Sequence, residues 1–347
     1  MKRLIGVGLI GCGAIAAVHV ENFHQLPESR LVATSDVIEE CAKSLAEQFG
    51  AKAWYTDYGD LLKREDIDAV SICLPHHLHA EVGIACAEAG KHILIEKPMT
   101  NTLREADALI RAAWKADVKL SVCYEFRFNE AVQWVHKAIE SGEVGKLLLG
   151  DLQAKGYRKD EYYKAGWRGK WSTAGGGVVI NQAIHWLDLF QWFFGSVDEL
   201  YGAIDTLTHK IEVEDVAGAV IRFKNRAIGT FIASTSVRPP SFPIRIHLHG
   251  SDGSLVLEGP YTSIKATLLK PEQVKKEMIA KPLPKRMTPP FVPAEGHKLP
   301  IIDFLTAIRE DREPLVNGEE GRKSLEITRA IYKSSKSGQI IKFPFTE

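Results

Sequence analysis

The chain has 347 residues, 45% of them hydrophobic and 25% charged, with 44 lysines and arginines against 44 aspartates and glutamates. That length exceeds what one hydrophobic core usually serves, so two domains are expected, and zero net charge gives no global field for nucleic acid or an anionic membrane. No apolar run reaches the roughly 18 residues of a membrane span, and Cys12, Cys41, Cys73, Cys86 and Cys123, odd in number and without a C-x-x-C pair, read as reduced thiols of a cytoplasmic protein rather than disulfides or a structural metal site.

Residues 4–16 imitate a signal peptide, but they read better as a first strand, 4–10, feeding the turn Gly11-x-Gly13-x-x-Ala16 and a helix over 15–26. Gly11 permits a tight turn, Gly13 lets backbone amides approach a pyrophosphate, and Ala16 allows close helix–strand packing. The helix start at Ala14 and Ile15 supplies N–H groups and a favourable dipole for phosphate. A second strand, 31–36, ends in Asp36, near the spacing of about 20 residues at which a carboxylate binds the adenosine ribose. An acid there repels an extra 2′-phosphate, which favours NAD over NADP.

The strand–helix alternation continues through 69–74 and stops at Leu74-Pro75, with histidines at 76, 77 and 79. No second ligand group at a zinc spacing accompanies them, so 75–79 reads as a strand-to-helix turn at the ligand edge, with His79 beside the cofactor and no metal. The next strand, 92–96, delivers Glu96-Lys97-Pro98 to its carboxyl end, which faces the ligand crevice of an open parallel sheet. A helix with Ala106, Leu109, Ile110 and Ala113 on one face and a sixth strand, 119–123, complete a dinucleotide-binding domain over 1–123.

From 124 to 347 the pattern changes to a substrate-binding and oligomerisation domain. After Arg127 a helix carries Val132, Val135 and Ile139, and strand-like runs follow at 216–223, 228–237, 244–249 and 254–257. Residues 281–298 are proline-rich and aperiodic, the signature of an arm or loop. One amphipathic helix carries Ile301, Phe304, Leu305 and Ile308, and a last one, about 319–337, is placed to return to the first domain. Within Gly175-Gly-Gly-Val-Val-Ile-Asn-Gln-Ala-Ile-His-Trp-Leu-Asp188, helical spacing sets Asn181, His185 and Asp188 on one face, and the glycines let the chain pass close to a ligand. Tyr157, Tyr162, Tyr163, Trp167 and Trp171 interleave with Lys155, Arg158, Arg168 and Lys170, a pattern that suits the C–H faces of a sugar and equally suits oligomer packing.

The run Gly-Leu-Ile-Gly-Cys-Gly-Ala-Ile-Ala over 8–16, Leu74-Pro75-x-x-x-His79, Glu96-Lys97-Pro98 with Glu105-Ala106, Gly175–Gly177 with His185, and the closing 321–330 and 334–338 together resemble the glucose-fructose oxidoreductase and inositol dehydrogenase family. The resemblance covers nearly the whole chain. It implies an α/β Rossmann domain with a parallel sheet, followed by an α+β domain with a large, mainly antiparallel sheet. The open face of that second sheet would build a homodimer or homotetramer, and substrate would lie between the sheet and the nicotinamide. It also implies that Trp167 and Arg168 approach the nicotinamide half of the cofactor. Where the family usually carries aspartate this chain has Asn181, which removes a carboxylate able to tune Lys97.

Oxidation of a secondary alcohol needs a base and a group that stabilises negative charge on oxygen. His185 is expected as the base, with Lys97 bonded to the reacting oxygen, and the two roles are exchangeable. Asn181, Arg127, Tyr157, Trp167 and Arg168 are expected to contact substrate. Gly11, Gly13, Ala14, Ile15, Ala16, Asp36, Leu74, Pro75, His79, Glu96, Lys97, Trp167 and Arg168 are expected to contact the cofactor. The activity implied is NAD-dependent hydride transfer at a secondary hydroxyl of a sugar, anhydrosugar or cyclitol. The alternatives are a nucleotide-sugar 3-dehydrogenase, an NAD-dependent glycoside-cleaving enzyme and a non-catalytic NAD-binding regulator.

Overall fold

A computed structural model of the chain describes residues 3–164, 166–238, 242–260, 263–271, 275–280, 287–288 and 292–347. They form two compact units, Met1–Glu125 with Leu283–Arg322, and Phe126–Pro282 with Lys323–Glu347.

The first unit alternates strand and helix in β1 (Ile5–Ile10), α1 (Ala14–Gln25), β2 (Ser29–Ser35), α2 (Glu39–Phe49), β3 (Ala53–Tyr55), α3 (Tyr58–Leu62) and β4 (Ala69–Ile72). It continues with α4 (His79–Glu88), β5 (His92–Ile95), α5 (Leu103–Lys115) and β6 (Leu120–Val122). The six strands are parallel, in the order β3-β2-β1-β4-β5-β6. The segment that imitates a signal peptide is thus an inner strand, and all six residues of β1 are buried, as a strand covered on both faces requires. The order reverses between β1 and β4, which opens the crevice beyond their carboxyl ends where such sheets bind ligands.

The second unit begins with α6 (Glu130–Glu140) and β7 (Leu147–Lys155), then the short helices α7 (Asp160–Tyr163) and α8 (Trp171–Ala174). A π-helical turn over Val179–Ala183 runs into α9 (Ile184–Phe194). Strands β8 (Val197–Asp205), β9 (Val216–Phe223), β10 (Ile228–Ser234), β11 (Arg245–Gly250), β12 (Ser254–Glu258), β13 (Lys265–Leu269) and β14 (Lys275–Ile279) follow. After a separate pair, β15 (Met287–Thr288) with β16 (Val292–Pro293), come α10 (Ala294–Glu310), α11 (Gly318–Ser337) and β17 (Ile341–Lys342). The nine-stranded sheet has the order β14-β13-β12-β11-β7-β10-β9-β8-β17, and every pair is antiparallel except β7 with β10. Phe190 and Phe194 of α9 and Ile331 of α11 pack on its inner face, whereas Leu149, Tyr201, Val220, Ile228, Ile232, Leu269 and Ile279 are exposed.

The compact units do not follow one cut near residue 123. The returning segment 283–322 counts with the first unit because Ile301, Phe304 and Leu305 of α10 bury against Phe23 and Leu26 of α1. The anticipated return of α11 is confined to its beginning, where Arg322 pairs with Asp107. The rest of α11 belongs to the second unit, with Ser334 accepting the Gly202 amide at 3.0 Å. Of the proline-rich stretch read as an arm, 281–286 and 289–291 lie outside the described residues. Among the described residues no helix is long and apolar enough to cross a membrane.

Candidate functional site

In the first unit the glycine turn separates two steric roles. Gly11 has φ +87°, and a Cβ there would lie 2.5 Å from the Cys73 carbonyl oxygen, so glycine is required by the close approach of β1 to β4. Gly13 meets nothing within 4 Å of such a Cβ and has an ordinary φ of −74°. The protein's own packing does not require glycine there, which leaves the room that a pyrophosphate needs. Gly13 also caps α1 without a side-chain hydrogen bond, so the first-turn amides of Ala14 and Ile15 face outward with the helix dipole behind them. Ala16 is fully buried against Leu9 and Leu31. Asp36 is held by the Cys12 amide at 2.7 Å and the Ile38 amide at 2.9 Å, so its carboxylate is oriented before any ribose arrives. These residues fit a dinucleotide. Gly13→Val is expected to leave stability within about 1 kcal/mol and to weaken NAD binding at least about 100-fold. Calorimetric titration beside thermal unfolding checks both, and unchanged affinity would mean that the turn does not cradle the phosphates.

At the end of β4, Leu74 and Pro75 are half-exposed at the crevice edge. His79 departs from expectation. It is fully buried, with Nδ1 2.8 Å from the Pro98 carbonyl and Nε2 2.9 Å from the Leu74 carbonyl. Burial pulls its pKa down against those two carbonyls, and both ring nitrogens are occupied by backbone. It ties the β4 and β5 exits together.

The Glu96-Lys97 pair divides. Glu96 turns inward, with Oε1 3.0 Å from His19 Nε2 and 3.4 Å from His297 Nε2, and Oε2 accepting the Lys97 amide at 3.3 Å. Burial alone would raise its pKa, but His19 and His297 outweigh that and hold it well below the usual range. Glu96 therefore anchors the turn from inside. Lys97 stands half-exposed at the carboxyl end of β5, where the sequence placed it.

In the second unit the π-helical turn carries Asn181, half-buried, one turn before His185. His185 is 8% exposed and stacks on Phe126 with ring centres 4.6 Å apart. Asp188, which helical spacing offers to His185, accepts from Arg127 through bonds of 2.7 and 2.8 Å, with Arg127 1% and Asp188 0% exposed. Arg127 is thus an interior partner, and its expected contact with substrate is corrected. The glycines are corrected as well: Cβ atoms on Gly176 and Gly177 would collide with the Tyr332 hydroxyl and the Glu214 backbone, so they make room for the protein rather than for a ligand.

Glu214 is a residue that sequence reading missed. It accepts from the Gly177 amide at 2.7 Å, the Val179 amide at 3.0 Å and the Tyr332 hydroxyl at 2.9 Å, which fixes the start of the turn bearing Asn181. Burial pushes its pKa up to about 7 against those three donors. Gln182 donates to the Tyr162 hydroxyl at 2.9 Å, and Arg168 lies 4.6 Å from the Tyr162 ring centre and 4.8 Å from that of Trp167. Tyr157 joins the same aromatic series through His209 and Tyr163, with Arg238 5.2 Å over its ring. The series therefore reaches the Asn181 segment through Gln182.

Residues 5–124 match the model of an oxidoreductase family with an NAD-binding Rossmann fold, and residues 132–256 match that of the GFO/IDH/MocA C-terminal domain. Myo-inositol 2-dehydrogenase of Thermotoga maritima is 26% identical over 97% of this chain and 98% of its own length. Levoglucosan dehydrogenase of Pseudarthrobacter phenanthrenivorans is 28% identical over 73% of each chain. The WlbA dehydrogenase of Bordetella pertussis, solved with NADH and UDP-GlcNAcA, is 30% identical, with 99% of this chain and 100% of that chain covered at a TM-score of 0.86. With both of its domains matched, over residues 5–124 and 132–256, the chain belongs to the GFO/IDH/MocA oxidoreductase family.

Proposed function

We propose that the protein is an NAD-dependent oxidoreductase that moves hydride between the nicotinamide and a secondary hydroxyl of a sugar, anhydrosugar or cyclitol. The observation that carries this reading is Lys97 at the carboxyl end of β5, in the same sheet whose β1 turn and Asp36 are shaped for a dinucleotide. The amides after Gly13 would hold the pyrophosphate and Asp36 the adenosine ribose, with Leu74 and Pro75 bordering the cofactor. When bound, NAD supplies the hydride acceptor.

The chain's own residues handle the proton and the charge. Lys97 donates a hydrogen bond to the reacting oxygen, His185 takes the hydroxyl proton, and Asn181 holds the same or an adjacent hydroxyl. Tyr157, Trp167 and Arg168 recognise the substrate or the nicotinamide half of the cofactor. The roles of Lys97 and His185 remain exchangeable in this scheme, because either side chain can accept a proton from the alcohol.

A nucleotide-sugar substrate is the second reading. It is supported by the likeness to WlbA and by the guanidinium groups of Arg158 and Arg168, 5.5 and 4.6 Å from the Tyr162 ring centre, which suit a diphosphate beside a stacked ring. The uncovered apolar face of the nine-stranded sheet supports a homodimer or homotetramer, and five free cysteines suit a cytoplasmic setting.

The test is NADH formation with excess NAD across inositols, free sugars, levoglucosan and UDP-sugars. Turnover on one class names the substrate. Silence on every compound despite NAD binding would overturn the assignment and leave NAD-dependent glycoside cleavage or a regulatory role.

A further inference from the structure

His19, Glu96, Cys123 and His297 come from α1, the ends of β5 and β6, and the start of α10. Each offers one donor atom, and the four atoms lie within 4.8 Å of one another. Their exposures are 0, 8, 0 and 2%, so they face one another in the interior of the first unit. We infer that they form a closed structural site for a borderline divalent transition metal, zinc foremost.

The geometry is close to what such an ion needs. Tetrahedral zinc, with nitrogen or oxygen at about 2.0–2.1 Å and sulfur at about 2.3 Å, spaces its donors roughly 3.3–3.6 Å apart. His19 Nε2 and His297 Nε2 lie 3.0 and 3.4 Å from Glu96 Oε1. A divalent ion would separate these atoms slightly and replace their mutual hydrogen bonds with metal bonds. His19 Nδ1 lies 2.8 Å from Ser71 Oγ, an outer partner of the kind that fixes the ring of a metal-bound histidine.

Charge supports the same assignment. Two neutral imidazoles, one carboxylate and one thiolate exactly offset a divalent cation, which lowers the cost of keeping charge in a dry interior. All four positions are taken by protein, so the site has no place for a substrate or a catalytic water. Its work is to clamp: it would fasten α10, which lies between the two chain segments of the second unit, to the turn whose next residue is Lys97. No spacing motif announces this, because the four donors come from four separate segments.

The test reads metal rather than turnover. Protein purified from zinc-supplemented medium is assayed by elemental analysis, and protein prepared with cobalt is examined by absorption spectroscopy. About one metal per chain is expected, with a thiolate-to-cobalt charge-transfer absorption and the visible bands of tetrahedral cobalt. Cys123→Ser and His297→Ala are expected to lose the metal, and Cys86→Ser to keep it. The cobalt spectrum of the unaltered protein serves if the variants fail to fold. Metal content below about a tenth of an equivalent with a featureless cobalt spectrum overturns the site and leaves a hydrogen-bonded cluster. Metal that survives Cys123→Ser but disappears in His249→Ala also overturns it, because Asp151, His247 and His249 form another donor group within 4.8 Å, on the sheet surface.

Discussion

Lys97→Met is expected to lower NADH formation at least about 1,000-fold while NAD affinity stays within about threefold. Methionine keeps much of the length and apolar stem of lysine and removes the charge and its three donors. The cofactor-holding groups, Gly13, the first-turn amides of α1 and Asp36, are untouched by the change, so binding and chemistry separate in the measurement. The reasoning depends on the division within the Glu96-Lys97 pair. Glu96 is committed to His19 and His297, so the side chain that this turn presents at the crevice end of β5 is Lys97. The loss should fall on kcat more than on KM, because a hydrogen bond to the reacting oxygen strengthens as that oxygen gains negative charge. Steady-state kinetics on the substrate found in the panel, with NAD titrated calorimetrically, decides the matter. A variant keeping more than about a tenth of the activity would transfer the charge-stabilising role away from Lys97.

What sequence made legible was short in range. The turn from Gly11 to Ala16 and its spacing to Asp36 are set within one strand–helix–strand passage, so residue order alone carries the geometry. The position of Lys97 at the carboxyl end of β5 was legible for the same reason, as it stands two residues after a buried isoleucine and leucine run. Glu96 was not, because its direction is decided by His19 on α1 and by His297, about 200 residues further along the chain. The pairing of β7 with β10 was equally hidden: parallel neighbours in a mostly antiparallel sheet need a long connection, and neither strand's own alternation names its partner. Helical spacing drew attention to Asn181, His185 and Asp188, but it could not show that a residue 61 positions earlier donates to both oxygens of Asp188.

That distant residue makes the second large effect. Arg127→Met is expected to destabilise the protein by about 3–5 kcal/mol, because it leaves the Asp188 carboxylate fully buried without its bidentate partner. The guanidinium also lies 5.1 Å from the Trp192 ring centre, so its removal loosens the α9 face beside the ion pair. Denaturant unfolding measures the loss. The companion experiment is the double variant Arg127→Met with Asp188→Leu, which removes both charges and is expected to recover most of the stability, since the cost lies in the stranded carboxylate rather than in the pair itself. Kinetics then separates the two roles assigned to Arg127. An interior arginine predicts that whatever folded single variant remains keeps its KM within a few-fold, whereas a substrate-binding arginine predicts a raised KM with stability unchanged. A stability loss under about 1 kcal/mol would mean that Asp188 finds another partner, and the contact that sequence suggested between Arg127 and substrate would have to be restored.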